Sequence, residues 1–498
     1  MMQLLWRIPL AVFGSALALF AFPTEGIWIV ALLIPGLLFL ATRDMGFWAA
    51  TALGFVAGQI YYITHIEWLA LYLGPVPLIA LSTLMSIYFA LGSGATAWLY
   101  KKLKPKGFGL ISFAIAASSI WTLREWLGSN FPYGGFPWSR LGMTQADGWF
   151  AKYAWWGGIS LISFAMVLIS ILLALMFLEL RKRKPQKLAP MAAVASALVF
   201  VPLITPIGLG TEKVGEIRIA AVQGNALAGL FSNQKRGTIL QNHLDASYAS
   251  IPDEERLDLI VWPENASDIS PLDSAEARAE IETLIAQYRA PITFGTITSR
   301  GEDVYNSTIF WEPGEGPTDY YDKKRPVPFA EYVPDRAFWR SLAPDLIDLV
   351  PRGYSFGSRD GIFANDKFTV GSLICFEIAA DDIPRGLAIE GAELILSQTN
   401  NADFGYSDET FQQAAIARLR AIETGRAVVN ISTVGLSAIY LPDGSVLDEL
   451  TWYTADAMIQ NVPLIKGSTP ATGLGLWFDG INSAMALGFL ALGLRRKK

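Results

Sequence analysis

Apolar residues run in long, nearly uninterrupted stretches through residues 1–211 and again near residue 480, whereas the region between them alternates apolar and polar positions. A helix needs about 20 apolar residues to cross the hydrocarbon core of a bilayer. The long stretches therefore predict about eight membrane spans, near 4–22, 27–42, 46–65, 74–99, 108–127, 157–180, 189–209 and 474–494. No small-residue cleavage site precedes Phe22, so we expect the first span to be a retained anchor.

The region between the spans has the pattern of an α/β domain. Short runs rich in β-branched residues predict strands at 216–222, 257–262, 291–298, 305–311, 368–376, 392–397 and 427–440. Helical patterns lie at about 274–289, 381–391 and 407–424, and a turn motif at 440–444 leads into a further strand. We therefore predict a membrane domain at 1–211, an α/β domain at 212–466, and a final membrane helix with a basic tail at 467–498.

Charge is distributed as unevenly as hydrophobicity. Only 17% of the 498 residues are charged, whereas soluble proteins have about 25%. Residues 1–211 and 467–498 together hold 18 basic and 7 acidic residues, while 212–466 holds 21 basic and 38 acidic residues. The formal net charge of −6 is thus the sum of +11 in the flanks and −17 in the middle. A membrane part and a water-exposed part are indicated.

Three basic clusters predict the orientation of the chain in its membrane. They lie at 101–106, 181–187 and 495–498, after the fourth, sixth and eighth predicted spans. Loops rich in Lys and Arg stay on the cytoplasmic side. The C-terminus is therefore expected in the cytoplasm, and the domain at 212–466, which follows the seventh span, is expected outside.

Composition excludes several kinds of chemistry. The chain has one Cys and two His, which rules out an internal disulfide and a His/Cys zinc site of ordinary type. No cofactor or metal is indicated, and a pI of about 5.3 argues against a nucleic-acid partner. A Ser-His or Cys-His mechanism has only His65 and His243 available, and we interpret both as surface or interface residues.

Reactive side chains follow two predicted strands. Glu264 comes after the run 259–262, and Cys375 comes after the run 370–374. Open α/β folds bind ligands at the carboxyl ends of strands, so these residues are expected at one rim. Lys323 lies in the Pro-rich loop 321–334 between them. Each alone has an ordinary interpretation, as a buried thiol, an ion-pair carboxylate or a surface base. Together they supply a thiol, a carboxylate base and a cation for an oxyanion.

The order of these residues resembles the Glu-Lys-Cys triad of the carbon–nitrogen hydrolase (nitrilase) superfamily. With the membrane flanks, the whole chain resembles its membrane branch, the apolipoprotein N-acyltransferase family. The resemblance rests on segments 131–138, 141–145, 222–225, 261–264, 321–331 and 374–377. It implies an α-helical membrane domain joined to an external nitrilase-like αββα sandwich.

The resemblance also implies roles for individual residues. Cys375 corresponds to the nucleophile, Glu264 to the general base and Lys323 to the oxyanion stabiliser. Glu331, Glu377 and Phe376 correspond to supporting positions. An unperturbed thiol is only a few per cent ionised at pH 7, so it needs such a base or cation to react. The triad leaves the two histidines without a catalytic task.

The implied reaction is acyl transfer in a bacterial-type inner membrane, with the catalytic domain on the extracytoplasmic side. A membrane phospholipid donates an acyl chain to Cys375, and the amine of a diacylated apolipoprotein accepts it. Candidate substrate-loop residues are Trp138, Phe231 and Phe404, although an aromatic belt at the membrane interface explains such rings equally well. Phe376 and Asp403 stand where the family often has Tyr and Trp, which affects substrate handling rather than the triad.

Two other functions remain open from the sequence. A membrane-tethered amidase or nitrilase would use the same triad with water as acceptor. A transporter or a lipid-binding receptor would leave Cys375 inert and would need ionisable residues inside the spans. The spans hold few such residues, and Arg124 and Glu125 are the main ones. We interpret these two as an interface or structural ion pair rather than a transport path.

Overall fold

The computed structural model describes residues 6–103, 109–229, 232–233, 235–350 and 353–495. The chain folds as two compact units. The first comprises Met1–Ala70, Gly74–Ile207 and Gly473–Lys498, and the second comprises Leu71–Leu73 and Gly208–Thr472.

Helices account for the first unit and flank the sheets of the second. Sixteen α-helices lie in the described part of the chain: α1 Arg7–Ala16, α2 Ala18–Ala21, α3 Ile34–Thr42, α4 Phe47–His65, α5 Leu69–Leu73, α6 Pro75–Leu103, α7 Leu110–Asn130, α8 Ala154–Arg181, α9 Leu188–Ile204, α10 Thr238–Ser250, α11 Ala275–Tyr288, α12 Arg336–Leu342, α13 Pro344–Ile347, α14 Asp382–Ile389, α15 Glu409–Thr424 and α16 Pro470–Leu494.

Several helical stretches of the first unit are apolar enough to cross a membrane. Among the described residues, four are also long enough: Pro75–Leu103, Ala151–Arg181, Pro185–Ile204 and Trp477–Leu494. Two shorter apolar stretches, Arg7–Ala21 and Trp28–Thr42, precede them. The prediction of apolar helices in both flanks is therefore confirmed, whereas the number of eight spans stays a prediction.

Buried polar side chains in the first unit differ from expectation. The guanidinium of Arg124 lies over the rings of Trp121 and Phe89, 3.8 and 4.2 Å from their centroids. Glu125 instead accepts hydrogen bonds from the Trp121 indole at 2.7 Å and from the Leu141 amide at 2.9 Å. The described contacts therefore give Arg124 and Glu125 separate partners rather than the predicted ion pair.

The second unit contains two six-stranded mixed sheets. One sheet has the order β12-β1-β2-β3-β4-β5 and the other the order β11-β10-β9-β8-β7-β6. Their strands are β1 Thr211–Gln223, β2 Leu259–Val261, β3 Ile292–Arg300, β4 Asp303–Glu312, β5 Gly316–Asp322, β6 Ile362–Ala364, β7 Thr369–Ile374, β8 Leu394–Thr399, β9 Ala427–Ser432, β10 Ser437–Tyr440, β11 Val446–Leu450 and β12 Asp456–Gly467. In each sheet the three central strands run parallel: β1, β2 and β3 in one, and β7, β8 and β9 in the other.

Alternating side chains build the two apolar layers of this unit. Successive residues of a strand point to opposite faces of the sheet. Along β1, Ile219 and Ala221 enter the core between the two sheets, while Ala220 and Val222 enter the core beneath α10 and α11. The strand is consequently buried on both faces, as parallel strands commonly are. The predicted αββα sandwich is thus present in the second unit.

Some sequence-based expectations for this unit are wrong. The run 427–440 is two antiparallel strands, β9 and β10, rather than one. Strands β5, β6 and β12 were not predicted, because they lie at or near sheet edges where polar residues interrupt the apolar pattern. Both histidines are buried rather than at a surface. His65 stacks on Phe22 in the first unit, and His243 packs beside Trp262 in the second.

Candidate active site

Glu264 lies three residues beyond β2, in a turn that packs against β3. Its neighbour Asn265 has a φ of +52°, which reverses the chain there. Gly295 on β3 lets the turn approach closely, since a Cβ at this position would lie 2.5 Å from the Asn265 nitrogen and 2.6 Å from the Glu264 Cα. The carboxylate is thereby held inside the unit, with 4% of the residue exposed.

Lys323 extends the pairing of β5 with β4 by one residue. Its backbone N–H donates to the Asn306 carbonyl at 2.9 Å, which fixes the direction of the side chain. The ammonium then lies 3.0 Å from a Glu331 oxygen and 3.4 Å from Glu264 Oε1. Only 2% of Lys323 is exposed, so these two carboxylates balance a buried charge.

Asn306 joins the two carboxylates and was not predicted from the sequence. Its Nδ2 donates to Glu264 Oε1 at 2.7 Å and to Glu331 Oε1 at 3.0 Å. Glu331 also accepts the Val327 N–H at 2.6 Å, which ties the Pro-rich loop to the site. The sequence gives no signal for Asn306, because the polar residues Ser307 and Thr308 follow it in the same strand.

Cys375 begins a short 3₁₀ helix, Cys375–Ala379, directly after β7. Its φ is +54°, an uncommon conformation for a residue with a side chain. Such strain persists only where surrounding contacts fix it, and it concentrates at functional sites. Glu264 and Lys323 are the nearest charges that act on the thiol. The Gln413 amide donates to the sulfur at 3.6 Å.

Glu377 connects the Cys375 turn with the Lys323 loop. Its buried carboxylate accepts the Ile374 N–H at 2.8 Å, the Arg325 N–H at 3.0 Å and the Tyr321 hydroxyl at 2.9 Å. The first bond closes the start of the 3₁₀ helix, and the other two hold the segment around Lys323. Glu377 therefore fixes the spacing of thiol and ammonium without contacting either.

Burial and neighbouring charges set the ionisation of the central groups. Burial, together with the nearby Glu264, raises the pKa of the Cys375 thiol well above its usual value. Burial also raises the pKa of Glu264, against the effect of Lys323. For Lys323, burial opposes the charge, but Glu331 and Glu264 outweigh it and raise the pKa well above its usual value. The resting site thus holds a neutral thiol beside a permanent ammonium.

Comparison with known proteins assigns both parts of the chain. Residues 14–172 match the apolipoprotein N-acyltransferase N-terminal domain, and residues 218–466 match the carbon-nitrogen hydrolase domain. The apolipoprotein N-acyltransferase of Mycolicibacterium smegmatis is 32% identical, over 93% of this chain and 81% of that protein. The chain belongs to the apolipoprotein N-acyltransferase family.

A second relative carries the same family name. The apolipoprotein N-acyltransferase of Vibrio parahaemolyticus is 29% identical, over the full length of both chains. Among solved structures, an amidase from Nesterenkonia sp. is 18% identical, covering 51% of this chain and 92% of that chain with a TM-score of 0.38. The resemblance to the N-acyltransferase family is confirmed, and with it the prediction of an enzyme with a carbon–nitrogen hydrolase domain.

Two of the three predicted substrate-loop residues of this N-acyltransferase family member lie in the described part of the chain. Trp138 is buried in the first unit, where its ring packs against Trp68 and Phe136. Phe404 stacks on Tyr72 in the second unit, and Phe231 lies outside the described residues. Phe376 is half-buried directly beside Cys375.

Asp403, beside Phe404, lies within the electrostatic reach of Glu264. Burial, with a contribution from Glu264, raises the pKa of Asp403 to about 6. No cluster of three or more His, Cys, Asp or Glu residues in the described ranges is suited to hold a metal ion.

Proposed function

We propose that the protein transfers an acyl chain from a membrane phospholipid to the N-terminal amine of the diacylglyceryl-cysteine of apolipoproteins. The observation that carries this proposal is the proximity of the partly buried Cys375 thiol to the buried Glu264 carboxylate and Lys323 ammonium. The three residues supply a nucleophile, a base and an oxyanion stabiliser. Membership of the N-acyltransferase family supports the choice of donor and acceptor.

In the first step, the Cys375 sulfur attacks the ester carbonyl carbon of the phospholipid. The thiol proton moves to Glu264 as the C–S bond forms. The carbonyl oxygen then carries a negative charge beside the Lys323 ammonium. When the ester C–O bond breaks, Glu264 returns the proton to the departing alkoxide. A lysophospholipid leaves, and a thioester on Cys375 remains.

In the second step, the amine nitrogen of the apolipoprotein attacks the thioester carbonyl carbon. Glu264 takes a proton from the amine as the C–N bond forms. The C–S bond then breaks, and the proton passes to the sulfur, which restores the resting thiol. The covalent intermediate divides one difficult transfer into two easier ones.

Lys323 is suited to stabilise the oxyanion because it does not need to move or to acquire its charge. Glu331 accepts a hydrogen bond from the ammonium, and Asn306 in turn donates to Glu331, so the cation is in place before the substrate binds. A donor fixed in advance in this way is worth about 10²–10³ in rate. The same charge also favours the Cys375 thiolate, which offsets part of the effect of burial on the thiol pKa.

We also propose that the catalytic unit lies on the extracytoplasmic side of a membrane crossed by eight spans. The basic clusters at 101–106, 181–187 and 495–498 support this orientation. The test uses spheroplasts and a Cys375→Ala background, in which an introduced cysteine is the only thiol. A membrane-impermeant maleimide should label Glu315→Cys, at an exposed turn, but not Lys498→Cys. The reverse pattern would refute the orientation.

Incubation with both substrates tests the proposed reaction. The purified protein receives a phospholipid with a labelled acyl chain and a diacylated lipopeptide, and products are resolved by mass spectrometry. The label should appear on the lipopeptide amine, and Cys375→Ala should give no transfer. A lipopeptide with an acetylated amine serves as the blocked acceptor. Release of labelled fatty acid at the same rate with either lipopeptide, without transfer, would instead identify a hydrolase that uses water.

A further inference from the structure

A series of hydrogen-bonded, buried polar side chains ends at the Cys375 sulfur. Gln413 on α15 donates from Nε2 to the Cys375 sulfur at 3.6 Å. The Gln413 Oε1 accepts from Asn401 Nδ2 at 2.7 Å, and the same Nδ2 donates to Glu409 Oε2 at 2.6 Å. Gln413, Asn401 and Glu409 are all at least 97% buried.

The network fixes which end of the Gln413 amide faces the sulfur. Asn401 Oδ1 accepts the Ser432 hydroxyl at 2.5 Å and the Thr399 hydroxyl at 3.1 Å. With its oxygen engaged there, Asn401 must present its NH₂ group to Gln413 and Glu409. The Gln413 oxygen is thereby held toward Asn401. Its NH₂ group is left to face Cys375.

We propose that Gln413 is a further catalytic residue, which donates an N–H to the Cys375 sulfur and stabilises its thiolate, with Asn401 and Glu409 as positioning residues. The thiolate develops twice, when sulfur attacks the ester and when it leaves the thioester. This role rests on the proposed acyl transfer. A hydrogen bond to a charged group is stronger than one between neutral groups, and stabilising the thiolate relative to the thiol lowers the thiol pKa.

Glu409 suits its place because burial favours its neutral, protonated form. Burial raises its pKa to about 8, with the nearby Glu264 adding to the effect. A carboxylate here would be one more negative charge near a sulfur that already faces Glu264 and Glu331. Among the groups that influence the pKa of the Cys375 thiol, Lys323 is the cation. A protonated Glu409 accepts the Asn401 hydrogen bond without weakening the thiolate.

The chain's single cysteine makes this role directly measurable. Iodoacetamide alkylates a thiolate far faster than other side chains, so the pH dependence of the first alkylation, followed by intact mass, gives the apparent pKa of the Cys375 thiol. No lipid substrate is needed, and a failure here is thus distinct from a failure of acyl transfer. Gln413→Met keeps the length of the side chain and removes the donor. We expect the apparent pKa of the Cys375 thiol to rise by about one unit. At any pH below that pKa, the thiolate fraction and the alkylation rate should then be about tenfold lower.

Two further variants and a control complete the test. Gln413→Glu keeps the acceptor for Asn401 but places an oxygen at the sulfur. Its shift of the apparent thiol pKa should therefore exceed that of Gln413→Met. This variant also provides the test if Gln413→Met does not fold. Asn401→Leu should shift the pKa in the same direction by less. Arg418→Met, on the same helix, loses a hydrogen bond to the Gly444 carbonyl instead and should leave the profile unchanged. Profiles of both Gln413 variants that coincide with wild type, or a shift matched by Arg418→Met, would overturn the proposal.

Discussion

The Lys323 ammonium lies 3.0 Å from the Glu331 carboxylate, in a site where the lysine is almost fully buried. Glu331 holds both Lys323 and Asn306, and it is itself held by the Val327 amide. Removing one partner of a buried ion pair leaves an uncompensated charge. Glu331 therefore maintains the geometry of the cation on which the proposed oxyanion stabilisation depends.

Glu331→Gln is expected to slow the acylation of Cys375 by roughly 10²-fold, the scale of a lost oxyanion donor. The neutral amide cannot balance the charge of the Lys323 ammonium. The ammonium is then expected to move toward Glu264, away from the position of the oxyanion. The rate of thioester formation from phospholipid measures this effect. Glu315→Gln, at an exposed turn, is the matched control. An acylation rate for Glu331→Gln equal to that of the control would contradict the role.

Gly295→Ala is expected to displace the turn that carries Glu264. The new Cβ would meet backbone atoms of Asn265 and Glu264 at 2.5–2.6 Å, and backbone cannot yield as a flexible side chain does. Overpacking of this kind costs about 1–3 kcal/mol, and we expect acyl transfer to fall with it. Gly386→Ala, where the nearest atom lies at 3.8 Å, should be tolerated. Equal melting temperatures and rates for the two variants would refute the close-approach argument.

Tyr321→Phe tests the connection between the Lys323 loop and the Cys375 turn. The hydroxyl donates to both oxygens of the buried Glu377 carboxylate at 2.9 Å. Its loss is expected to lower the free energy of unfolding by about 1.5–3 kcal/mol, as for hydrogen bonds to charged groups. Thermal or denaturant unfolding provides the measurement. The adjacent Tyr320→Phe, at a half-exposed ring, is the control and should change stability far less. If Tyr320→Phe lost as much stability as Tyr321→Phe, the assignment would be contradicted.

The raised pKa of Glu409 predicts a stability that depends on pH. An unfolded glutamate loses its proton near pH 4.5, whereas folded Glu409 keeps it to about pH 8. Between these values the folded state binds more protons, so stability falls as pH rises, by at most about 1.4 kcal/mol per pH unit. Relative to Glu409→Gln, wild type should lose about 2 kcal/mol between pH 5 and pH 7. Melting temperatures across this range measure it, and parallel curves for the two proteins would disprove the shift.

The sequence makes two of the three central residues of the site predictable because each of the two follows an apolar run. Glu264 and Cys375 come just after strands buried on both faces, and the carboxyl ends of such strands are where open α/β folds bind ligands. Lys323 was predictable only through the resemblance to a known family. The long apolar stretches likewise indicate membrane helices by length alone, whereas the number of spans depends on kinks and short helices.

The supporting residues of the site could not be predicted in the same way. Asn306 lies inside β4 and Gln413 lies inside α15, each beside other polar residues, so neither stands out in the sequence. Their roles arise from partners distant in the sequence, such as Glu264 for Asn306 and Cys375 for Gln413. The burial of His243 was missed for the same reason, because a polar helical pattern does not reveal that its ring packs on Trp262.

The mass of the intact protein after incubation with a phospholipid of one acyl composition tests the covalent mechanism. Because the chain has a single cysteine, a thioester can form only at Cys375. We expect wild type to gain the mass of one acyl group, hydroxylamine to remove it, the diacylated lipopeptide to discharge it, and Cys375→Ala never to acquire it. Formation of N-acylated lipopeptide by a wild-type protein that never carries the adduct, or by Cys375→Ala, would contradict the mechanism.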